Sequence, residues 1–190
     1  MAIRVPKVNA KNSTASKLKI PTDNYIIFHH TGKSFIIPVD PDSITDSMGA
    51  SFATNYPLSR SAPIYSYQNS GPRSVQVSFT LHRDLCREFN PGSQDMVEEL
   101  INNLEGMVLP DYNAANKVVN PPIVSLKIRD EIYIKGVVSG TVGKNFQLPL
   151  LNYGGQYKYA IVSLNFSIQE IQPYSASILS TVKGGRRLGS

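Results

Sequence analysis

The chain has 190 residues, 41% hydrophobic, with 13 glycines, 13 prolines, one cysteine and a formal charge of +5. That length suffices for one well-buried core with extended arms, and the glycine and proline content implies many turns. The lone Cys86 excludes an internal disulfide framework or a cysteine-based zinc site within one chain, and no apolar run approaches the roughly eighteen residues of a spanning helix.

The net charge misleads until it is mapped. Residues 1–22 hold Arg4, Lys7, Lys11, Lys17 and Lys19 without an acid, and the last residues hold Lys183, Arg186 and Arg187, again without one. All 14 acids fall in residues 23–179, against 11 Lys or Arg there, so the central domain is formally −3 between basic arms. A nucleic-acid-binding domain carries a basic face; this one lacks the excess. Contact with phosphates is left to the arms, which are otherwise solvated tails or lie on an acidic neighbouring subunit. The first twenty residues contain no signal-like apolar core, so the expected site of synthesis and retention is a reducing cytoplasm.

Residues 1–22 read as an arm. Residues 24–30 and 33–39 form an expected hairpin around Thr31-Gly32, where glycine permits positive φ. Asp42 or Ser43 caps an expected short helix through Asp46. Residues 47–63 are small, polar and interrupted by prolines, a pattern of mobile or partner-held chain, with Phe52, Tyr56 and Leu58 as its large apolar residues. Residues 64–68 form a short strand containing Tyr65, and Asn69-Ser70-Gly71-Pro72 a turn.

Residues 74–82 (SVQVSFTLH) alternate strictly, which sends Val75, Val77, Phe79 and Leu81 to one face and Ser74, Gln76, Ser78 and Thr80 to the other. From Ser93 to about Gly106 the period becomes helical, with Met96, Val97, Leu100, Ile101 and Leu104 on one side. Burying each contributes roughly 1.5 to 3 kcal/mol before entropy, so this helix covers a sheet; Pro110 stops it.

Residues 123–129 and 132–142 form a second expected hairpin. Gly136 and Gly140 share a face there, as expected of close packing or a sharp bend. Residues 146–155 read as an apolar loop bearing Leu148, Leu150, Leu151 and Tyr153, resting on its own domain or a neighbour. The last long strand repeats the alternation of residues 74–82: Val162, Leu164, Phe166 and Ile168 interleave with Ser163, Asn165, Ser167 and Gln169. Pro173 and Tyr174 close the domain. The expected class is α+β, mainly antiparallel sheets of sandwich or barrel-forming type with one main helix, in a domain spanning 23–175 between arms 1–22 and 176–190.

Two such strands with almost no charged outward position are unusual, because solvent-facing strands normally carry Lys, Glu or Arg against unwanted pairing. The outer face is expected to meet protein or a channel. Catalytic constellations are weak by comparison. Gly32-Lys33-Ser34 lacks the phosphate-loop glycine five positions before it, where Ile27 stands. His29 and His30 point to opposite faces of a strand and lack a third metal ligand; His82, Asp84 and Cys86 sit at a strand end without a cysteine-nucleophile motif. No enzyme activity, cofactor or metal is expected.

Pro41-Asp42-Ser43-Ile44, then Ala62-Pro63-Ile64-Tyr65-Ser66-Tyr67, then Gly71-Pro72-Arg73-Ser74 and the strand to Asp84 resemble the small baseplate and tail-tube-related proteins of contractile-tailed bacteriophages. The similarity in order of strands, covering helix, hairpin and final strand covers about residues 24–175. It implies a tail-tube-like fold and a virion protein of the tail baseplate: a subunit of a ring, expected to be a hexamer, whose sheets join side by side into a barrel. That ring joins baseplate hub and wedge proteins to the tail-tube protein, starts tube polymerisation, and passes DNA through its lumen without specific binding or any membrane. Gln76, Ser78, Thr80, Ser163, Asn165, Ser167 and Gln169 then face the lumen or a neighbour, while Phe52, Tyr56, Leu58, Tyr65, Leu148, Leu150, Leu151 and Tyr153 make contacts between subunits. A baseplate adaptor or peptidoglycan-binding module of such a tail, and a nucleic-acid binder using its arms, are the competing readings.

Overall fold

A computed structural model describes residues 23–58, 61–109, 111–112, 119–153 and 155–171; both basic arms and the Pro173-Tyr174 closure lie outside them. The fold is α+β and mainly antiparallel. Eleven strands occur among the described residues: β1 (Tyr25–Phe28), β2 (Lys33–Ile36), β3 (Ser43–Ser47), β4 (Ala50–Asn55), β5 (Ile64–Ser70), β6 (Ser74–His82), β7 (Asp111–Tyr112), β8 (Val119–Asn120), β9 (Val124–Ile128), β10 (Ile132–Tyr153) and β11 (Gln156–Glu170). Two helices, α1 (Arg83–Phe89) and α2 (Met96–Val108), follow β6. Seven strands form one sheet in the order β2-β1-β9-β10-β11-β6-β3, β4 pairs with β5 alone, and β7 with β8.

The alternation written in the sequence positions this sheet. Val75, Val77, Phe79 and Leu81 of β6 stand directly opposite Ile168, Phe166, Leu164 and Val162 of β11, all buried. Together with Ile26 and Phe28 of β1 and Leu126 of β9 they form a continuous core on one face of the sheet. Helix α2 closes it with Met96, Val97, Leu100, Ile101, Leu104 and Met107. The second layer is therefore helical, while on the opposite face Ile36 of β2 packs against Phe89 and Leu85 of α1.

Both expected hairpins form. Gly32 takes φ +68 in the β1–β2 turn, Arg129 takes φ +48 in the β9–β10 turn, and β9 pairs with β10 from Ile128↔Ile132 to Val124↔Gly136. Gly136 is required by close approach: a Cβ there would lie 1.9 Å from the Gln169 carbonyl oxygen. Gly140 instead marks a bend, at φ +76 within a register shift between Ser139 and Gly143.

Other expectations are corrected. Residues 43–46 are not a helix but most of β3, paired with β6 from Ser43↔Ser78 to Ser47↔Ser74, so β6 satisfies the backbone that a helix would have bonded internally. The unpatterned stretch 47–63 contains β4, which pairs with β5. Because β3 runs into β4 and β5 into β6, the two pairings make one long hairpin, joined where Gly71 N–H donates to the Gly49 carbonyl at 2.8 Å.

The apolar loop at 146–155 is the end of another hairpin, with β10 and β11 paired out to Tyr153↔Gln156. Its regular strands are hidden in the sequence because a second register shift, between Gln147 and Leu150, breaks the alternation. Helix α2 begins at Met96, capped by Asp95 rather than Ser93: the Asp95 carboxylate accepts from the Glu98 backbone N–H at 3.2 Å. Helix α1 is an element that sequence reasoning missed, although Arg83, Cys86 and Phe89 recur at helical spacing on its buried side.

Candidate assembly surface

The seven residues singled out for the outer face do come together. Gln76 stands opposite Ser167, Ser78 opposite Asn165, and Thr80 opposite Ser163, with Gln169 opposite Ser74; Gln76 and Asn165 are exposed and the others half-buried. Their neighbours extend the pattern on both sides. Ser43, Thr45 and Ser47 of β3 lie beside Ser78, Gln76 and Ser74, while Ser139, Gly143 and Asn145 of β10 lie beside Ser167, Asn165 and Ser163.

The result is a four-stranded surface whose outward strand positions are mostly hydroxyls, amides and glycine, with Val137, Ile161 and His82 at its margins. It is bonded within itself: Ser74 Oγ and Ser167 Oγ are 3.1 Å apart, Thr80 Oγ1 and Ser163 Oγ 3.3 Å, and Gln147 Nε2 donates to Ser163 Oγ at 3.1 Å. Asp42 at its margin accepts from Thr80 Oγ1 at 2.7 Å. Over the β10 bend, Gln76, Ser139, Gly140, Thr141, Asn165 and Ser167 surround an open depression of about 400 Å³. Sequence reasoning missed the contributions of β3 and β10, because the Asp-Ser start of β3 mimics a helix cap and the glycines of β10 disguise its alternation.

Charge returns to the outward face only toward β9, at Lys135 and Lys127, which register opposite Ser125 and Tyr133. Most of the described cations are engaged by carboxylates: Lys33 with Glu99, Lys127 with Asp23, Arg129 with Asp40, and Lys144 with Glu105. Lys158 bonds both Asp95 and Glu98, and Arg83 bonds Asp95 and the Tyr159 carbonyl. Burial pushes the Asp95 carboxyl upward, but bonds from Lys158 and the Glu98 N–H, with the charges of Arg83 and Lys158, outweigh it and hold the group below the usual carboxylate range.

The eight residues proposed for contacts between subunits divide. Phe52, Tyr56, Leu58 and Tyr65 are exposed on or beside the β4–β5 hairpin, with Leu58 99% exposed. There Phe52 meets Tyr67 edge-on at 5.7 Å, a contact within the hairpin rather than with the body. Leu148 and Leu150 are exposed near the end of the β10–β11 hairpin, joined by Tyr157 and Tyr159 of β11. Leu151 and Tyr153 are half-buried, and the Arg87 guanidinium lies 5.3 Å over the Tyr153 ring.

Three of the residues weighed for chemistry are tied into the fold. Cys86 is fully buried, and burial pushes its thiol up to about 12, far from a reactive thiolate. Lys33 leaves the β1–β2 turn and meets Glu99 rather than a phosphate cradle. A serine and a histidine do meet, with His29 Nε2 and Ser125 Oγ 2.7 Å apart, but Ser125 is 1% exposed and its oxygen is out of reach of a substrate. Burial and the nearby Lys135 lower the His29 pKa. Among the described residues no helix is long and apolar enough to cross a membrane, and no group of three His, Cys, Asp or Glu is placed to hold a metal.

Compared with known proteins, the chain matches no family model and no curated sequence.

Proposed function

We propose that this protein is a structural subunit of a contractile phage tail, a baseplate component that forms a ring between the central hub and the tail tube, starts tube assembly and lets DNA pass. The observation that carries this reading is the uncharged outward face spanning β3, β6, β11 and β10, on a domain where most of the described cations pair with its own carboxylates. A wall along which DNA must slide benefits from few fixed positive charges, because every phosphate contact adds affinity and slows passage. The reading also gives work to the two exposed hairpins. Phe52, Tyr65 and Tyr67 on one, and Leu148, Leu150 and Tyr157 on the other, present apolar area suited to protein partners: the neighbouring copies, the tail-tube protein, and hub or wedge proteins.

The test is to purify the full chain alone and with its tail partners, measure particle mass, and image the product by electron microscopy. Ring-shaped oligomers that nucleate tube are expected. A protein that stays monomeric and never enters tails overturns the proposal; sedimentation with peptidoglycan, or salt-sensitive nucleic-acid binding abolished by deleting the arms, supports the competing readings instead.

A further inference from the structure

The long hairpin built from β3–β4 and β5–β6 is fastened to the sheet at a buried ion pair. Arg73, just before β6, is fully buried, and its Nε and Nη2 donate to the two carboxylate oxygens of Asp46 on β3, both at 2.9 Å, a bidentate pair. Its Nη1 donates to the Tyr133 carbonyl of β10 at 3.1 Å, and the Glu170 carboxylate of β11 lies 3.8 Å from the same nitrogen, just beyond hydrogen-bond reach.

The two carboxylates are not held alike. Glu170 is fixed at the end of β11: its side chain is 1% exposed, it stands opposite Gly136 of β10, and its N–H donates to the Arg73 carbonyl at 2.8 Å. Asp46 belongs to a strand with little to hold it. All five residues of β3 are exposed, including Ile44, its one large apolar side chain. Strand β3 pairs with β6 alone, and the β4–β5 hairpin that follows packs on itself through Phe52 and Tyr67. Beyond backbone bonds and Asp46, the ties described for this segment are hydroxyl contacts at the surface, Ser47 Oγ to the Ser74 carbonyl at 3.3 Å and Thr80 Oγ1 to Asp42 at 2.7 Å.

A buried cation stripped of its partner is costly, and that cost ordinarily welds the strand carrying the partner to the fold. At Arg73 a replacement stands ready. When β3 leaves, the guanidinium keeps the Tyr133 carbonyl, closes by about 1 Å onto Glu170, and turns its Nε–Nη2 edge to the water that takes the place of β3. We infer that Arg73 is a two-partner clasp and β3 a strap: β3 opens from β6 while the domain stays folded, Arg73 passing from Asp46 on β3 to Glu170 on β11. The ends of the strap suit this motion. Asp40, held by Arg129 and Asn24, anchors the chain ahead of it, and Gly49, with open space around its Cα, joins it to β4. Opening redirects the β4–β5 hairpin, with Phe52 and Tyr67, without breaking the β4–β5 pairing. The motion belongs to the single chain, whether or not copies assemble into rings.

Hydrogen–deuterium exchange on the full chain tests the clasp, comparing residues 43–47 with residues 162–169. In the parent, 43–47 is expected to exchange at least about a hundredfold faster than 162–169, at a rate little changed by urea, as a local opening does. Equal protection, or the same urea dependence in both, places β3 in the global unfolding unit and overturns the strap. Asp46→Asn is expected to speed 43–47 by about tenfold or more relative to 162–169; no change overturns the closed-state role of Asp46. Glu170→Gln is expected to do the reverse: it removes the partner that Arg73 takes in the open state, so 43–47 slows by about tenfold even as the urea midpoint of the whole chain falls. An unchanged or faster rate makes Glu170 a structural support only and overturns the clasp. Glu170→Asp keeps the charge but withdraws it by one methylene, and is expected to slow 43–47 in the same sense, so the test survives if the Gln variant does not fold. Finally, Thr45→Cys and Gln76→Cys stand directly opposite, within bridging distance, while Cys86 is buried and outside the pairing. Oxidation of that pair is expected to bring 43–47 to the protection of 162–169, and reduction to restore the parent rate; fast exchange in the oxidised form means fraying rather than opening and overturns the strap.

Discussion

Arg73 is a fully buried cation at the base of the projecting hairpin. Its Nε and Nη2 donate to the two Asp46 oxygens, both at 2.9 Å, Nη1 donates to the Tyr133 carbonyl at 3.1 Å, and Glu170 lies 3.8 Å away. One side chain thus ties β3, β10 and β11. Removing it alone leaves two carboxylates without that cation, so Arg73→Met is expected to lower unfolding free energy by about 3 to 5 kcal/mol, read as a lower urea midpoint. Backbone contact is equally unforgiving at Gly136. Any Cβ there meets the Gln169 carbonyl and, at 3.0 Å, the Glu170 Cα; Gly136→Ala is expected to cost about 1 to 3 kcal/mol, again by urea titration. Phe79→Asp places a carboxylate at a fully buried position and is expected to abolish the folded state, seen as loss of near-ultraviolet dichroism.

Asp95 gives a pH dependence whose sign follows from its depressed folded pKa. Its stabilisation is fully present above the unfolded carboxyl value of about 3.9 and is lost as pH falls through the lower folded value. Asp95→Asn is therefore expected to be less stable than the parent at pH 6, with the gap narrowing toward pH 3; a constant gap across that range contradicts the assignment.

Among the elements, the two long hairpins differ in how they are held. The β10–β11 hairpin is tied to α1 and α2 through Lys158, Arg83 and Lys144. The β4–β5 hairpin has exposed residues along almost its whole length. Double replacement of Phe52 and Tyr67 by serine is therefore expected to change stability by no more than about 0.5 kcal/mol while weakening assembly, measured as particle mass at fixed concentration. Gln76→Lys and Asn165→Lys are expected to fold normally and to impair assembly or DNA passage; normal infectious particles from both would falsify the role given to the uncharged face.

For the whole molecule, a contact made by an uncharged face and apolar hairpins depends little on salt. Ring mass is expected to stay unchanged from about 0.05 to 0.5 M salt, a range over which screening removes surface charge attractions and phosphate binding falls steeply. A ring that dissolves across this range would put the assembly energy in surface charge.

How far the sequence spoke depends on the range of the interactions involved. Strict alternation at residues 74–82 and 162–169 determined both strands and their buried faces, because burial on one face of a pleated strand imposes a period of two. The face of α2 was legible for the same reason, with period 3.6. The helical start at Asp95 was obscured by a serine two residues before it, and only the tertiary partners Arg83 and Lys158 distinguish the two candidate caps. Residues 43–55 and 146–153 gave no sign of being strands, since the partner of β3 lies far along the chain in β6, and register shifts at Ser51/Phe52 and Gln147/Leu150 break the alternation of β4 and β10. By itself, then, the sequence determined an uncharged, alternating surface on a mildly acidic β-rich domain. Tertiary structure decided that four strands share that surface, and that Arg73 ties β3 to β10 and β11, because registers and buried ion pairs are set by contacts between residues far apart in the chain.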